Sequence, residues 1–350
     1  MWNKPDNEQR RLELATLYAG LVDNPEEECR EVFTSLESQP KIESIMPPKQ
    51  EKPAPDGLQA QGFPFAATPG ETMKLELADG IAITLRKVPA GQFVMGDQKG
   101  YEDERSRAVV SIDRPFWVAE AEVTNAQYEA FDPSHDSRYI DENGKDHAVP
   151  GYIANHPDQP VVRVSWQDAQ RFCQWLAAKT GKKVTLPTEA QWEWAARAGT
   201  ESQFFYGDKN TDFSKFANLA DAGRRRMYVD WDGGSMIHER HDYPADYLYP
   251  LRDDRFTDKW IVVDFVKQYE PNQFGLYDMV GNVNEWTRSD YKPYPYDEND
   301  GRNAGDPTVQ KVARGGSWFD RPKSAGSTVR FPYESYQTVF NVGFRVIVEE

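Results

Sequence analysis

The chain has 350 residues, a formal net charge of −16, 13% aromatic residues and two cysteines. An acidic surface repels phosphate backbones and anionic lipid, which disfavours nucleic-acid and membrane-surface binding, and the aromatic content excludes wholesale disorder. Two cysteines build neither a disulfide framework nor a thiolate metal cluster, and no apolar run reaches the ~18 residues of a membrane span.

Residues 1–38 read as two short helices. Leu14, Leu17, Tyr18 and Leu21 recur at i, i+3, i+4, i+7; Asn24-Pro25 breaks the pattern; Val32, Phe33 and Leu36 stripe the second helix. Neither helix is long enough to build a core alone, so the pair is expected to pack on the main domain or to dock on a larger protein. The segment has no apolar stretch of the signal-peptide kind, which leaves the compartment open. Residues 39–72 carry Pro40, Pro47, Pro48, Pro53 and Pro55 and read as a linker or extended arm.

Residues 73–350 read as one domain. "MKLELADGIAITLRKV" alternates on both sides of Asp79-Gly80, which predicts a β-hairpin, and Gly91 and Gly96 bracket a further strand with Phe93 and Met95 on one face. Three helices begin with capping pairs: Thr124 with Gln127, Ser165 with Asp168, and Thr188 with Gln191. The second is predicted to bury Ala169, Phe172, Cys173 and Leu176 and to stop at Gly181; the third buries Trp192 and Ala196 and stops at Gly199. The last roughly 150 residues show little periodicity and need another source of rigidity, such as bound metal ions.

"VSWQDAQRFCQWL", "LPTEAQWEWAARAG", "NQFGLYDMVGNVNEW", "RGGSW" and "NVGFRVI" follow one another in that order. Together they resemble the formylglycine-generating enzyme (sulfatase-modifying factor) superfamily, from Val88 to Val348. The resemblance implies an α+β, C-type-lectin-related fold with little regular secondary structure, stabilised by one or two structural Ca2+ ions. The superfamily also holds iron-dependent sulfoxide synthases and the variable ligand-binding proteins of retroelements, so the resemblance alone fixes no activity.

"DMVGNVNEW" reads as a hard-cation loop, with carboxylates from Asp278 and Glu285 and carbonyls from Gly281 and Val283; these four positions match the family's calcium site. The other reading of the two acids is ordinary turn capping. Asn218, Leu219, Asp258 and Trp260 match a second family site, across a longer intervening stretch than usual. His238, His241 and Asp242 offer two imidazoles and a carboxylate, without a helical register to aim them.

The family's oxidases hold copper(I) with two cysteines just after the Gly-Gly-Ser turn, because a cuprous ion prefers soft thiolates. The matching positions here are Asp320 and Ala325, and Asn284 and Ser324 replace two further family residues. No copper is expected. The cysteine that the family often pairs with the position of Cys173 is Val346 here. The expected function is therefore non-catalytic binding of a peptide, protein or glycan in a groove of Ser317, Trp318, Asp320, Asn284, Arg330 and Tyr333. The alternatives are a metal-dependent oxidoreductase with an altered site, and a structural subunit of a larger assembly.

Overall fold

A computed structural model describes residues 70–140, 151–222, 252–253 and 255–350. The predicted helical appendage, nearly all of the Pro-rich segment, and His238, His241 and Asp242 lie outside the described residues.

The predicted hairpin is β1 (Thr72–Ala78) and β2 (Ile81–Val88), antiparallel, with Leu75 opposite Ile83. Leu75, Leu77, Ile83 and Leu85 all face the core, as the alternation requires. Gly80 takes φ +75°, the left-handed conformation that its turn needs and that other residues avoid. β3 (Gly91–Met95) pairs with β4 (Ala108–Ile112) as a second hairpin, and β5 (Phe116–Ala119) is buried throughout.

All three capping pairs form. α1 (Asn125–Glu129) starts at Thr124, α2 (Trp166–Thr180) at Ser165 and α3 (Glu189–Arg197) at Thr188, each with reciprocal side-chain-to-backbone bonds. α2 ends at Gly181 (φ +68°), whereas α3 ends one residue before its glycine, with Ala198 in the left-handed conformation. α3 is buried on nearly every face, including Glu189, Glu193 and Arg197, so its charges need internal partners.

Short strands β6 (Tyr139–Ile140), β7 (Tyr152–Ile153) and β8 (Lys183–Thr185) lead to the C-terminal half. That half supplies β9 (Asn284–Asp290), β10 (Lys311–Arg314), β11 (Phe331–Tyr333), β12 (Val342–Gly343) and β13 (Ile347–Glu349). Two sheets result, in the orders β1-β2-β5-β13-β8 and β11-β10-β9-β12. β13 lies between β5 and β8, so the end of the chain closes the first sheet. The predicted stripe of α2 joins an apolar core that also holds Val346, and Cys173 is a buried free thiol within it. Among the described residues, no helix is long and apolar enough to cross a membrane.

Candidate functional site

The Gly315-Gly316-Ser317 turn follows β10 directly. Ser317 Oγ donates to Asp320 Oδ2 (2.6 Å) and accepts from Asn341 Nδ2 (2.9 Å). Asn284 Nδ2 donates to the same Asp320 oxygen (3.3 Å), and Asn284 Oδ1 accepts from the Gly316 N–H (3.0 Å). The turn therefore brings together three of the expected groove residues, Ser317, Asp320 and Asn284, in one polar knot. Asp320 is half-buried, while Ser317 and Asn284 are fully buried. Ala325 is buried beside the turn: a Cβ on Gly316 would stand 2.5 Å from the Ala325 methyl, so only glycine fits there. Ser324 Oγ lies 3.3 Å from the Tyr101 hydroxyl.

Of the other three expected groove residues, Trp318 stays beside the turn, and Tyr333 and Arg330 go elsewhere. Trp318 is fully buried and forms the floor of an aromatic trio, with ring centroids 5.3 Å from Phe319 and 5.9 Å from Phe340. Phe319 and Phe340 lie 5.2 Å apart and are half-buried beside Asp320. Tyr333 packs edge-on to Trp286 at 5.7 Å. Arg330 is fully buried in an ionic knot: its guanidinium pairs with Glu189, which also binds Arg314, and it lies over the Tyr291 and Tyr294 rings. Arg330 is therefore a core residue and not a groove residue. Phe319, Phe340 and Asn341 were not singled out by the sequence. Phe319 directly follows the Gly-Gly-Ser-Trp turn, and Phe340 and Asn341 lie in "VFNVGFR", which has no helical or strand period.

The first predicted cation loop runs directly into β9 and is bonded to the Ser317 turn: Gly281 N donates to the Gly315 carbonyl (3.0 Å) and Trp318 N to the Asn282 carbonyl (3.0 Å). Gly281 takes φ +78° and its α-carbon meets the backbone of Asn218; a Cβ would stand 2.2 Å from the Asn218 carbonyl oxygen. Asn282 N donates to that same carbonyl (2.9 Å), so the two candidate cation loops stand back to back. Asp278 Oδ2 accepts from Lys267 N (2.7 Å), while Oδ1 is buried with no hydrogen-bond partner. Burial pushes the Asp278 carboxyl up to about 6. Glu285 is held by Arg345 through both oxygens (2.6 Å each) and accepts from Trp192 Nε1 (2.8 Å).

In the second loop, Asp258 joins Leu219 and Trp260 by accepting their backbone N–H groups at 3.0 and 2.7 Å. Asn218 Nδ2 donates to the Val262 carbonyl (2.8 Å), leaving Oδ1 buried with no partner. Burial, then the neighbouring Asp221, pushes the Asp258 carboxyl well above the usual range. Buried oxygens without donors are costly in the absence of a cation. Among the described residues, no three His, Cys, Asp or Glu side chains form a metal-ligating group, so a cation at either loop would draw part of its shell from carbonyl oxygens.

Residues 82–350 match the sulfatase-modifying factor enzyme 1-like domain. The chain is similar to the formylglycine-generating enzyme of Mycobacterium tuberculosis, at 26% identity over 75% of this chain and 96% of that protein. It is similar also to the inactive C-alpha-formylglycine-generating enzyme 2 of Bos taurus, at 27% identity over 77% of this chain and 90% of that protein. Among solved structures, PvdO from Pseudomonas aeruginosa shares the fold with a TM-score of 0.56 and 24% identity, covering 81% of this chain and 100% of that one. Treponema denticola variable protein 1 does so with a TM-score of 0.56 and 19% identity, covering 80% and 99%.

Proposed function

The chain belongs to the sulfatase-modifying factor enzyme 1-like family, and from that premise we propose that it is a non-catalytic recognition module whose ligand is an extended peptide or a glycan. The observation that carries this reading is the Ser317 turn. Where the family's oxidases hold two thiolates, this chain has Asp320, whose carboxylate is occupied by Ser317 and Asn284, and Ala325, a buried methyl. A hydrogen-bonded carboxylate and a methyl offer a cuprous ion no soft ligand. Beside them, half-buried Phe319 and Phe340 over buried Trp318 form aromatic walls next to one fixed polar group, a surface suited to peptide or sugar. The similarity to a relative named inactive supports a non-catalytic member.

The ions that suit this chain are hard ones. Asp278 with the carbonyls of Gly281 and Val283 would hold a first calcium beside Glu285, and Asn218, Leu219, Asp258 and Trp260 a second. The partnerless oxygens of Asp278 and Asn218 support that assignment. Calcium there is structural: it neutralises buried carboxylates and fixes the loops.

Copper binding and ligand capture test the reading together. Native protein is expected to lose a competition with a strong cuprous chelator and to leave the cysteine of a sulfatase-type peptide unoxidised. On peptide and glycan arrays it gives saturable binding, which Phe319→Ala weakens by roughly tenfold, or 1.4 kcal/mol, with the fold intact. Stoichiometric copper(I) binding or cysteine oxidation by native protein overturns the proposal. Asp320→Cys combined with Ala325→Cys is the positive control and should gain copper(I) affinity. Activity need not follow, because Asn284 and Ser324 also depart from the family pattern.

A further inference from the structure

We infer that Glu122 is a further carboxylate of the first cation site, an inference that rests on the calcium reading above. Glu122 precedes the Thr124 cap of α1, remote in sequence from the cation loop. It is 2% exposed and Asp278 is 3% exposed. Glu122 Oε1 accepts from Asn282 Nδ2 at 3.2 Å, and Asn282 is the residue between the two carbonyl donors Gly281 and Val283. Glu122 Oε2 has no hydrogen-bond partner, and neither has Asp278 Oδ1. Asp278 is the carboxylate whose charge acts most on Glu122. Two segments of the chain thus deliver one unsatisfied, buried oxygen each to the same place.

The charges around Glu122 point the same way. The groups that act on it are the carboxylates of Asp278 and Glu285 and the guanidinium of Arg345. Arg345 is already engaged with both oxygens of Glu285, and among the described residues no lysine or arginine side chain forms an ion pair with Glu122 or Asp278. Three buried carboxylates against one guanidinium leave an excess of negative charge that one divalent cation balances. An unpaired ionised carboxylate is strongly unfavourable in such surroundings. A divalent cation held by Glu122 and Asp278 would remove that cost at both residues and satisfy both orphaned acceptors.

The test is calcium titration of native protein, Glu122→Gln and Asp278→Asn by calorimetry, with folding checked by circular dichroism. Glutamine keeps the shape and the bond to Asn282 but carries no charge. Glu122→Gln is expected to weaken calcium binding at least tenfold, as Asp278→Asn does. In EDTA it is expected to melt no lower than native protein, because it relieves the carboxylate excess. A residue that only packs would show the opposite pair: unchanged calcium affinity and a lower melting temperature without metal. Unchanged affinity in Glu122→Gln overturns the inference and leaves the calcium reading standing. Native protein that takes up no calcium overturns both. Should Glu122→Gln not fold, Glu122→Asp serves: it withdraws the carboxylate by one methylene, so affinity falls if Oε2 faces the ion and holds if it does not.

Discussion

At the scale of single residues, the buried ionic knot under the Ser317 turn shows most sharply what a side chain contributes. Glu189, Arg314 and Arg330 are all fully buried. Glu189 Oε1 accepts from Arg314 Nε (3.1 Å) and Arg330 Nε (2.5 Å), and Arg314 also reaches Glu193 (2.9 Å). Burial alone would raise the Glu189 carboxyl, but Arg330 and then Arg314 outweigh it and hold it below the usual carboxylate range. Glu189→Gln takes the buried carboxylate away from both Arg330 and Arg314, of which Arg314 keeps Glu193. Breaking a buried pair from one side costs about 3–5 kcal/mol, and the thermal midpoint of the variant should fall accordingly. Because the folded value lies below the unfolded ~4.3, this stabilisation is present above that pH and is lost as pH falls through the folded value. Native protein should therefore lose stability in acid more steeply than Glu189→Gln, which has nothing there to protonate. A variant that melts like native protein at pH 7 would contradict this account. Arg330, which the sequence suggests for a groove, is instead a buried core residue. Its partner Glu189 is 141 positions away, and no local pattern announces a contact at that distance.

At the scale of elements, what could be read in the sequence was what is decided locally. The three helices start where their capping pairs stand, because a cap needs only residues one turn apart. The β1–β2 hairpin follows from alternation around one glycine. The strands of the last third were not legible. β12 is two residues long and pairs parallel with β9, and β9 is buried on both faces except at Arg288, so no period of two survives. The candidate site divides in the same way. Asp278, Gly281, Val283 and Glu285 lie within one stretch of eight residues and stand out, whereas Glu122 gives no sign. The cap of α2 is the element whose worth is simplest to measure. Ser165 Oγ accepts from Asp168 N (3.1 Å) and the Asp168 carboxylate accepts from Ser165 N (3.1 Å). Ser165→Ala removes half of this box and should cost about 0.5–2 kcal/mol in urea unfolding. A cost near zero would mean that packing of Phe172 and Leu176, and not the cap, sets where α2 begins.

At the scale of the whole molecule, the fold is held where distant segments meet. The chain closes on itself through β13, and Arg345 just before it donates to the Ala119 carbonyl 226 positions earlier and to Glu285 beside the first cation loop. The two cation loops join at Asn218 and Gly281, between an apolar cluster containing Val262, Val263 and Val283 and another containing Leu219 and Val280. A cation at this junction would tie together segments that few regular hydrogen bonds connect. Binding to the folded state alone stabilises it by about 2.7 kcal/mol at a free-ion concentration of 100 times the dissociation constant. In a domain of this size each kcal/mol moves the melting temperature by roughly 2–4 °C. Chelation should therefore lower the melting temperature of native protein by about 5–10 °C, and added calcium should restore it where magnesium, with its stricter octahedral geometry, does not. Elemental analysis of purified protein should find at least one calcium per chain. If calcium is absent and a chelator leaves the melting curve in place, the loops are held by their hydrogen bonds alone. The burial of Glu122 beside Asp278 would then require a proton in place of a metal.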